Sequence, residues 1–589
     1  MPSKITASRP PHSGMPNIGN RMSVNWISTQ PNTRYITATR TTLRRLSSLK
    51  KLLIVSPETL SSPDFSKKRA KPGGMSPSRT AVSHQKQFPD KATNADAGPV
   101  IAIASPHGSN IRWLSAAVWA IIGAAILRGF RMNPELKRAA ELAAAYIESF
   151  DTEKVSEEPN PDALRARLYK ELTTDGLPPL QVIEELAEDA RAGLLNSAGG
   201  RFFGWVIGGS IPVSIAADWL TSAWDQNAAA YACSPAAAII EDVVAGWLKD
   251  LLGLPQQASY AFVTGCQMAH VTALAAARHK ILADQGWAVE EQGLAGSPPI
   301  RVLVGEHHET LLRAVRHLGI GTDAVVPVAQ TDDGTIDVAA LRTELEKTPD
   351  APTIVSLAAG DLNRGAFDPF DEVCDLAHEH NAWVHIDGAF GLWVAASERL
   401  RHLVKGVEKA DSWATDAHKW LNVPYDSGIA FVADPEAHKT AMTIPAAYKV
   451  EVENVRDQFE WGPEWSRRAR GIPLYAALRT LGRNGVAKMI ESSCDLTTDM
   501  VNKLGELPDV EVLTIPIINQ GLVRFLDPDG DHDARTDDVI KRINASGEAW
   551  FGPTMWNGMR VMRISLSNFR TTVDDIDRAV AAVKAALEN

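Results

Sequence analysis

The chain has 589 residues, 45% of them hydrophobic, and a formal charge of −11, which is enough for two or more packed domains of ordinary soluble composition. The charge is uneven: residues 1–57 hold nine Lys/Arg and no Asp or Glu, leaving 51 basic against 71 acidic side chains beyond them, a net of −20. That balance excludes a basic groove for nucleic-acid backbones, and four scattered cysteines (Cys233, Cys266, Cys374, Cys494) offer neither a CxxC nor a zinc spacing, so no metal is expected and reduced thiols in a cytoplasmic protein are.

In chain order, residues 1–131 read as an N-terminal extension, disordered or lying ahead of the true start of translation. Within it Thr37–Val55 has the pattern of a basic amphipathic helix, and its Arg/Ser-rich, acid-poor surroundings are those of a mitochondrial transit peptide. Trp113–Leu127 is apolar but too short to span a bilayer core of about 30 Å. No membrane span is expected. Residues 132–225 read as a helical arm, with helices over Pro134–Phe150, Pro161–Leu172 and Leu180–Ala192. After them, Arg201-Phe202-Phe203-Gly204-Trp205 and Gly208-Gly209 suit either a loop lining a pocket or the packing of a connector.

Over 226–475 helical and strand patterns alternate. Strands are expected at Ser259–Val263, Ile300–Gly305, Ala324–Pro327, Thr353–Ala358, Ala382–Ile386, Ser412–Ala414 and Ile429–Ala433, with a helix among others at Ala396–Leu403. This alternation predicts an α/β fold with a large, doubly wound, largely parallel sheet. Residues 476–589 predict a small C-terminal α+β domain. A long helix broken between Leu481 and Gly485 leads into strands at Val510–Leu513, Leu522–Phe525, Trp550–Gly552 and Met559–Ser565, and a last helix covers Asp574–Leu587.

Ligands in such sheets collect where strands end. Thr264-Gly265, His308, Asp387 and His418-Lys419 all follow predicted strands. A lysine facing a buried carboxylate is the pair that pyridoxal phosphate chemistry needs: the amine holds the aldehyde as a Schiff base, and the acid keeps the pyridine nitrogen protonated. Alone, a His-Lys pair is weak and an Asp at a strand end is an ordinary hydrogen-bonder; their order and shared address carry the inference. Gly265-Cys266-Gln267 opens a helix, whose free N–H groups suit a phosphate. The cluster His307-His308 has no third ligand at metal spacing, and one ring stacked on a coenzyme is the better use.

The runs His385-Ile386-Asp387-Gly388-Ala389, Asp416-Ala417-His418-Lys419-Trp420 and Arg563-Ile564-Ser565 with Asn568-Phe569-Arg570 resemble those of the group II pyridoxal-phosphate-dependent amino-acid decarboxylases, a fold-type I family that includes aromatic-L-amino-acid and glutamate decarboxylases. The resemblance covers about Met132 to Asn589. It implies that Lys419 is the Schiff-base lysine and Asp387 the partner of the pyridine nitrogen. Ala389 and His308 would lie on the two ring faces, and Gly265, Cys266, Gln267 and His418 would sit at the phosphate. It also implies a homodimer.

Three departures stand out. Cys266-Gln267 replaces glycine and a hydroxyl residue at the phosphate turn. Asp361-Leu362 replaces the family's Thr-Thr. Gln458-Phe459 stands where many members carry a loop tyrosine, leaving Tyr448 as the nearest substitute. The expected activity is decarboxylation of an L-amino acid to amine and carbon dioxide. Phe203 and Trp205, with Phe202, favour an aromatic or large apolar side chain. The alternatives are transamination, aldehyde formation or a non-catalytic homologue.

Overall fold

Proline opens helix after helix in the first part of the protein. Its fixed φ suits the first helical turn, and its missing N–H would have had no partner there. The computed structural model describes residues 133–588 apart from 158, 159, 445–451 and 453. In it α1 (Pro134–Glu148), α2 (Pro161–Leu168), α3 (Pro179–Ala190), α4 (Pro212–Trp224) and α5 (Pro235–Leu252) all start this way. The expectations for residues 1–131, including Thr37–Val55 and Trp113–Leu127, fall outside the described residues. No helix among the described residues is long and apolar enough to cross a membrane.

From β1 (Ser259–Val263) the chain enters the large sheet. It continues through α6 (Cys266–Ala283), α7 (Val289–Gln292), β2 (Arg301–Val304), α8 (Glu309–His317), β3 (Val325–Pro327), α9 (Val338–Lys347), β4 (Thr353–Ala358), α10 (Phe370–Glu379), β5 (Trp383–Asp387), β6 (Ser412–Asp416), β7 (Gly428–Val432) and α11 (Pro435–Met442). The strand order is β1-β7-β6-β5-β4-β2-β3. β2 to β6 pair in parallel, whereas β7 runs antiparallel to both of its neighbours. The sheet is therefore mixed, of the fold-type I kind.

Its strands are buried on both faces, and successive side chains alternate between two cores as the pleat requires. Leu303, Val355 and Ile386 join the core on one face, while Val302, Val304 and Ile354 join the core on the other. The helix expected at Ala396–Leu403 is instead two 3₁₀ turns, Gly391–Ala396 and Arg401–Val404. Between them the Ser397 hydroxyl bonds the Glu491 side chain rather than continuing a helix.

The last part holds α12 (Gly471–Gly505), β8 (Val510–Val512), β9 (Gln520–Phe525), α13 (His532–Ser546), β10 (Gly552–Trp556), β11 (Met559–Ser565) and α14 (Val573–Glu588). The four strands form an antiparallel sheet in the order β10-β11-β9-β8. The expected break in the long helix is Gly482, with φ 60° and ψ −177°. The strand expected at Trp550–Gly552 begins only at Gly552. Trp550 is tied to the connector before α4: its N–H donates to the Arg201 carbonyl at 3.2 Å, and its carbonyl accepts from Phe203 N–H at 2.9 Å.

Candidate active site

The carboxyl ends of β5 and β6 lie side by side, with Asp387 paired to Ala414, so each strand delivers a chemical group to the same edge. β5 delivers Asp387, its last residue; β6 ends at Asp416, and the chain turns at once into His418 and Lys419. Lys419 and Asp387 line one cavity of about 250 Å³, and so do Gly265, Cys266, Gln267, His308, Ala389 and His418. The eight residues singled out for a coenzyme are thus brought together.

Lys419 Nζ stands 3.1 Å from Asp416 Oδ2. Burial opposes the ammonium charge, but the Asp416 carboxylate, with Asp387 further away, outweighs burial and holds Lys419 above the usual lysine range. Burial also opposes charge on Asp387. The ring nitrogen of His270 at 3.4 Å, the Lys419 ammonium and the Ala389 N–H at 3.1 Å more than offset it, so Asp387 stays ionised far below the ordinary carboxylate range. The cavity therefore presents a cation and an anion side by side.

The helix start at α6 differs in detail from the expected phosphate cradle. Cys266 N–H is already donated to Asp416 Oδ1 at 2.7 Å. The buried Gln267 Oε1 is unmatched among the described residues, although its Nε2 donates to the Thr310 carbonyl at 3.2 Å. Gly265 is needed for close approach: an added Cβ would lie 3.2 Å from the His418 ring, and one on Gly428 would lie 2.4 Å from the Gly265 Cα. Burial pushes the Cys266 thiol well up, so it stays protonated.

His308 caps α8. Its Nδ1 faces the Thr310 hydroxyl at 2.8 Å and accepts from Thr310 N–H at 3.3 Å, which leaves Nε2 as the other edge of the ring. Burial lowers its pKa, so the ring is neutral and able to exchange a proton. His418 is also lowered by burial. Its Nδ1 accepts from Ser427 N–H at 3.1 Å, and its ring stacks on Tyr425 at 4.2 Å.

The substrate-facing expectations fare differently. Phe203 is fully buried against Phe551 in the core of the four-stranded sheet, 5.1 Å between ring centres, and does not line the cavity. Trp205 is half exposed and stacks on Trp550 at 4.6 Å, again outside the lining. The reason is the tie between Trp550 and the connector, which commits both rings to packing. Tyr448 lies outside the described residues. Gln458 and Phe459 are buried; Gln458 Nε2 reaches the Tyr260 hydroxyl at 3.2 Å and Phe459 stacks on Trp465. Asp361 closes its own turn, accepting from the N–H groups of Asn363, Arg364 and Ala366, which accounts for the Asp361-Leu362 departure.

Three participants, Asp416, His270 and Tyr425, were not singled out in the sequence, and Gly208 stood there only as part of a candidate loop. Asp416 lies three residues before Lys419, inside the motif already in view. His270 lies one helical turn after Cys266, a spacing that puts both on one face of α6. Gly208 passes directly behind the lysine: an added Cβ would stand 1.8 Å from the Lys419 carbonyl oxygen. Tyr425 carried no sequence signal. The donor atoms of Cys266, His270 and Asp387 fall within 4.8 Å of one another, a set with metal-ligand chemistry that sequence spacing did not disclose.

The residues present fit pyridoxal phosphate. An amine and an ionised carboxylate share one cavity of suitable size, a glycine admits close approach at the helix start, and the buried, unmatched Gln267 side-chain oxygen belongs to a residue of the same lining. Comparison with known proteins agrees. Residues 161–526 match the family described as pyridoxal-dependent decarboxylase conserved domain. The chain is 27% identical over 468 residues to an aromatic-L-amino-acid decarboxylase of Bacillus atrophaeus, covering 77% of this chain and 94% of that one. It is 28% identical over 384 residues to an L-2,4-diaminobutyrate decarboxylase of Rhizobium meliloti, covering 63% and 74%. The crystal structure of Oryza sativa TDC with PLP and tryptamine superposes with a TM-score of 0.72 at 23% identity, over 77% of this chain and 97% of that one. The chain belongs to the pyridoxal-dependent decarboxylase family, and is a pyridoxal-phosphate-dependent carboxy-lyase acting on an amino acid.

Proposed function

We propose that the protein decarboxylates an L-amino acid with a large apolar or aromatic side chain, with Lys419, Asp387 and His308 as its catalytic residues. The single observation that carries the catalytic assignment is the convergence of Lys419 and Asp387 on one cavity. Pyridoxal phosphate, when bound, would supply a sink for the electron pair that loss of carbon dioxide leaves at the α-carbon. Lys419 tethers the coenzyme through its amine, and Asp416 at 3.1 Å holds and orients that amine. Asp387 would hold a proton on the coenzyme's ring nitrogen, an interaction that would strengthen as charge develops in the transition state. His308, neutral, with Thr310 on Nδ1 and the exposed Glu309 carboxylate 3.6 Å from Nε2, would return a proton to the substrate carbon.

The preference for a large apolar side chain no longer draws support from Phe203 or Trp205. It draws support from Leu311, Leu362 and Phe390 in the cavity lining and from the Bacillus atrophaeus relative. Release of carbon dioxide from a panel of aromatic, acidic and diamino acids is the direct test. Turnover of acidic or diamino acids alone would sink the substrate assignment while leaving the reaction type intact. A second reading, aldehyde formation or transamination, is favoured by one observation. Gln458 and Phe459, standing where a proton-delivering tyrosine is common, are packed away from the cavity. Aldehyde or keto acid as the main product, in place of amine, would decide for it.

A homodimer is part of this proposal. Leu136, Val182 and Leu186 stay exposed on α1 and α3, which bury no side chain of their own. Trp219, Leu220 and Trp224 on α4 and Ile239 and Val243 on α5 are exposed as well. Such an apolar surface fits a second copy of the chain. Light scattering on the active enzyme should give twice the chain mass; full activity in a monomer would refute it.

A further inference from the structure

Behind Asp387 runs a file of buried polar side chains. Trp383 Nε1–H donates to Ser412 Oγ at 2.8 Å, Ser412 Oγ meets His385 Nδ1 at 2.9 Å, and His385 Nε2 meets His270 Nδ1 at 2.9 Å. His270 Nε2 then faces the Asp387 carboxylate at 3.4 Å. Ser412, His385 and His270 are wholly enclosed.

The far end of this file dictates where its protons sit. An indole N–H can only donate, so Ser412 Oγ accepts from Trp383, and the hydroxyl proton needs an acceptor of its own. His385 Nδ1 is the other partner of that hydroxyl among the described residues. The His385 proton therefore sits on Nε2 and is donated to His270 Nδ1, which places the His270 proton on Nε2, toward Asp387. A second proton on His270 Nδ1 would force His385 to accept there, move the His385 proton to Nδ1 and strand the serine hydroxyl. An unmatched buried hydroxyl is costly. His385 takes no charge itself, since burial pushes it down to about 3. The protonated Cys266 thiol, 3.5 Å from His270 Nε2 and 3.9 Å from Asp387 Oδ1, brings no charge either.

We propose that Trp383, Ser412 and His385 hold His270 as a neutral Nε2–H donor, so that Asp387 meets the coenzyme ring nitrogen as a carboxylate with no cation set against it from behind. A cationic His270 would satisfy the carboxylate and weaken its hold on a protonated ring nitrogen. A neutral donor orients Asp387 and leaves its charge available. His270 and His385 are then positioning residues, and this inference rests on the placement of Asp387 at the ring nitrogen.

The test uses the full chain loaded with pyridoxal phosphate, comparing His270→Gln, His270→Leu, Ser412→Ala and Asp387→Asn by coenzyme affinity, visible absorption of the bound coenzyme, kcat and KM. His270→Gln keeps a neutral donor and should retain the spectrum and kcat within about threefold, whereas His270→Leu should lose at least about tenfold in kcat and coenzyme affinity with an altered spectrum, one decade corresponding to one pKa unit at the ring nitrogen. Equal losses in the two variants would overturn the proposal, because a cation would then be what matters; wild-type behaviour in His270→Leu would overturn it too. Should His270→Leu fail to fold, Ser412→Ala carries the test. It frees His385 Nδ1 to hold the proton and should move the spectrum in the same direction; an unchanged spectrum defeats the idea. Asp387→Asn separates the levels, since a wild-type spectrum in that variant would unseat Asp387 itself, whatever the histidines do.

Discussion

The strand-end cluster around Lys419 and the aromatic connector around Phe203 drew the same attention in the sequence, yet the fold uses them in opposite ways. At the ends of β5 and β6, Asp387, Asp416 and Lys419 converge on one cavity, each with a polar partner within 3.4 Å. In the connector, Phe202, Phe203 and Trp205 stack on Trp550 and Phe551 and help close the four-stranded sheet. The difference teaches a rule of inference. A buried charge tolerates few environments, so its presence constrains the site. An aromatic ring is satisfied by any well-packed core, so its presence constrains almost nothing.

The largest effects should therefore come from the polar side of this comparison. Lys419→Ala removes the only amine in the cavity lining among the described residues, and kcat should fall by at least about a thousandfold. Circular dichroism should show the fold retained; an active variant would void the catalytic assignment. Next comes a point where the connector does reach the site. Gly208→Ala puts a Cβ where the Lys419 carbonyl stands, so the lysine backbone must shift. A displacement of about 1 Å costs on the order of a hundredfold in turnover. Coenzyme loading and kcat should fall together, with substrate selectivity unchanged; normal turnover would mean that the two segments do not bear on each other.

The legibility of the sequence follows the same division. The strands of the large sheet were readable from short β-branched runs, and the cluster Gly265, His308, Asp387, His418 and Lys419 from its shared position after those strands. What escaped was long-range. The antiparallel setting of β7 depends on a connection that no local pattern encodes. The start of β10 was displaced because Trp550 pairs with a segment about 350 residues earlier. The roles of His270 and Asp416 were hidden for a related reason: a helix face and a turn had to be folded before either met Asp387 or Lys419. Phe203 and Trp205 left both a pocket loop and connector packing open because hydrophobicity reports burial and says nothing of what lies on the other side; within one chain neither lines the cavity.

The aromatic side supplies the smaller, sharper tests. Phe203→Ala opens a hole in the core of the four-stranded sheet and should cost about 3–5 kcal/mol of stability. In the protein that remains folded, the ratio of kcat/KM for tryptophan over glutamate should match the parent; a changed ratio would return Phe203 to the substrate pocket. Trp205→Ala should have the mildest effect, about 0.5–1.5 kcal/mol from the lost stack on Trp550. Its half-exposed face gives this variant a second use. Within one chain the ring lies off the cavity, so selectivity should again be unchanged. If selectivity moves while stability barely does, Trp205 meets the substrate across a dimer interface, and the aromatic connector belongs to the partner's site.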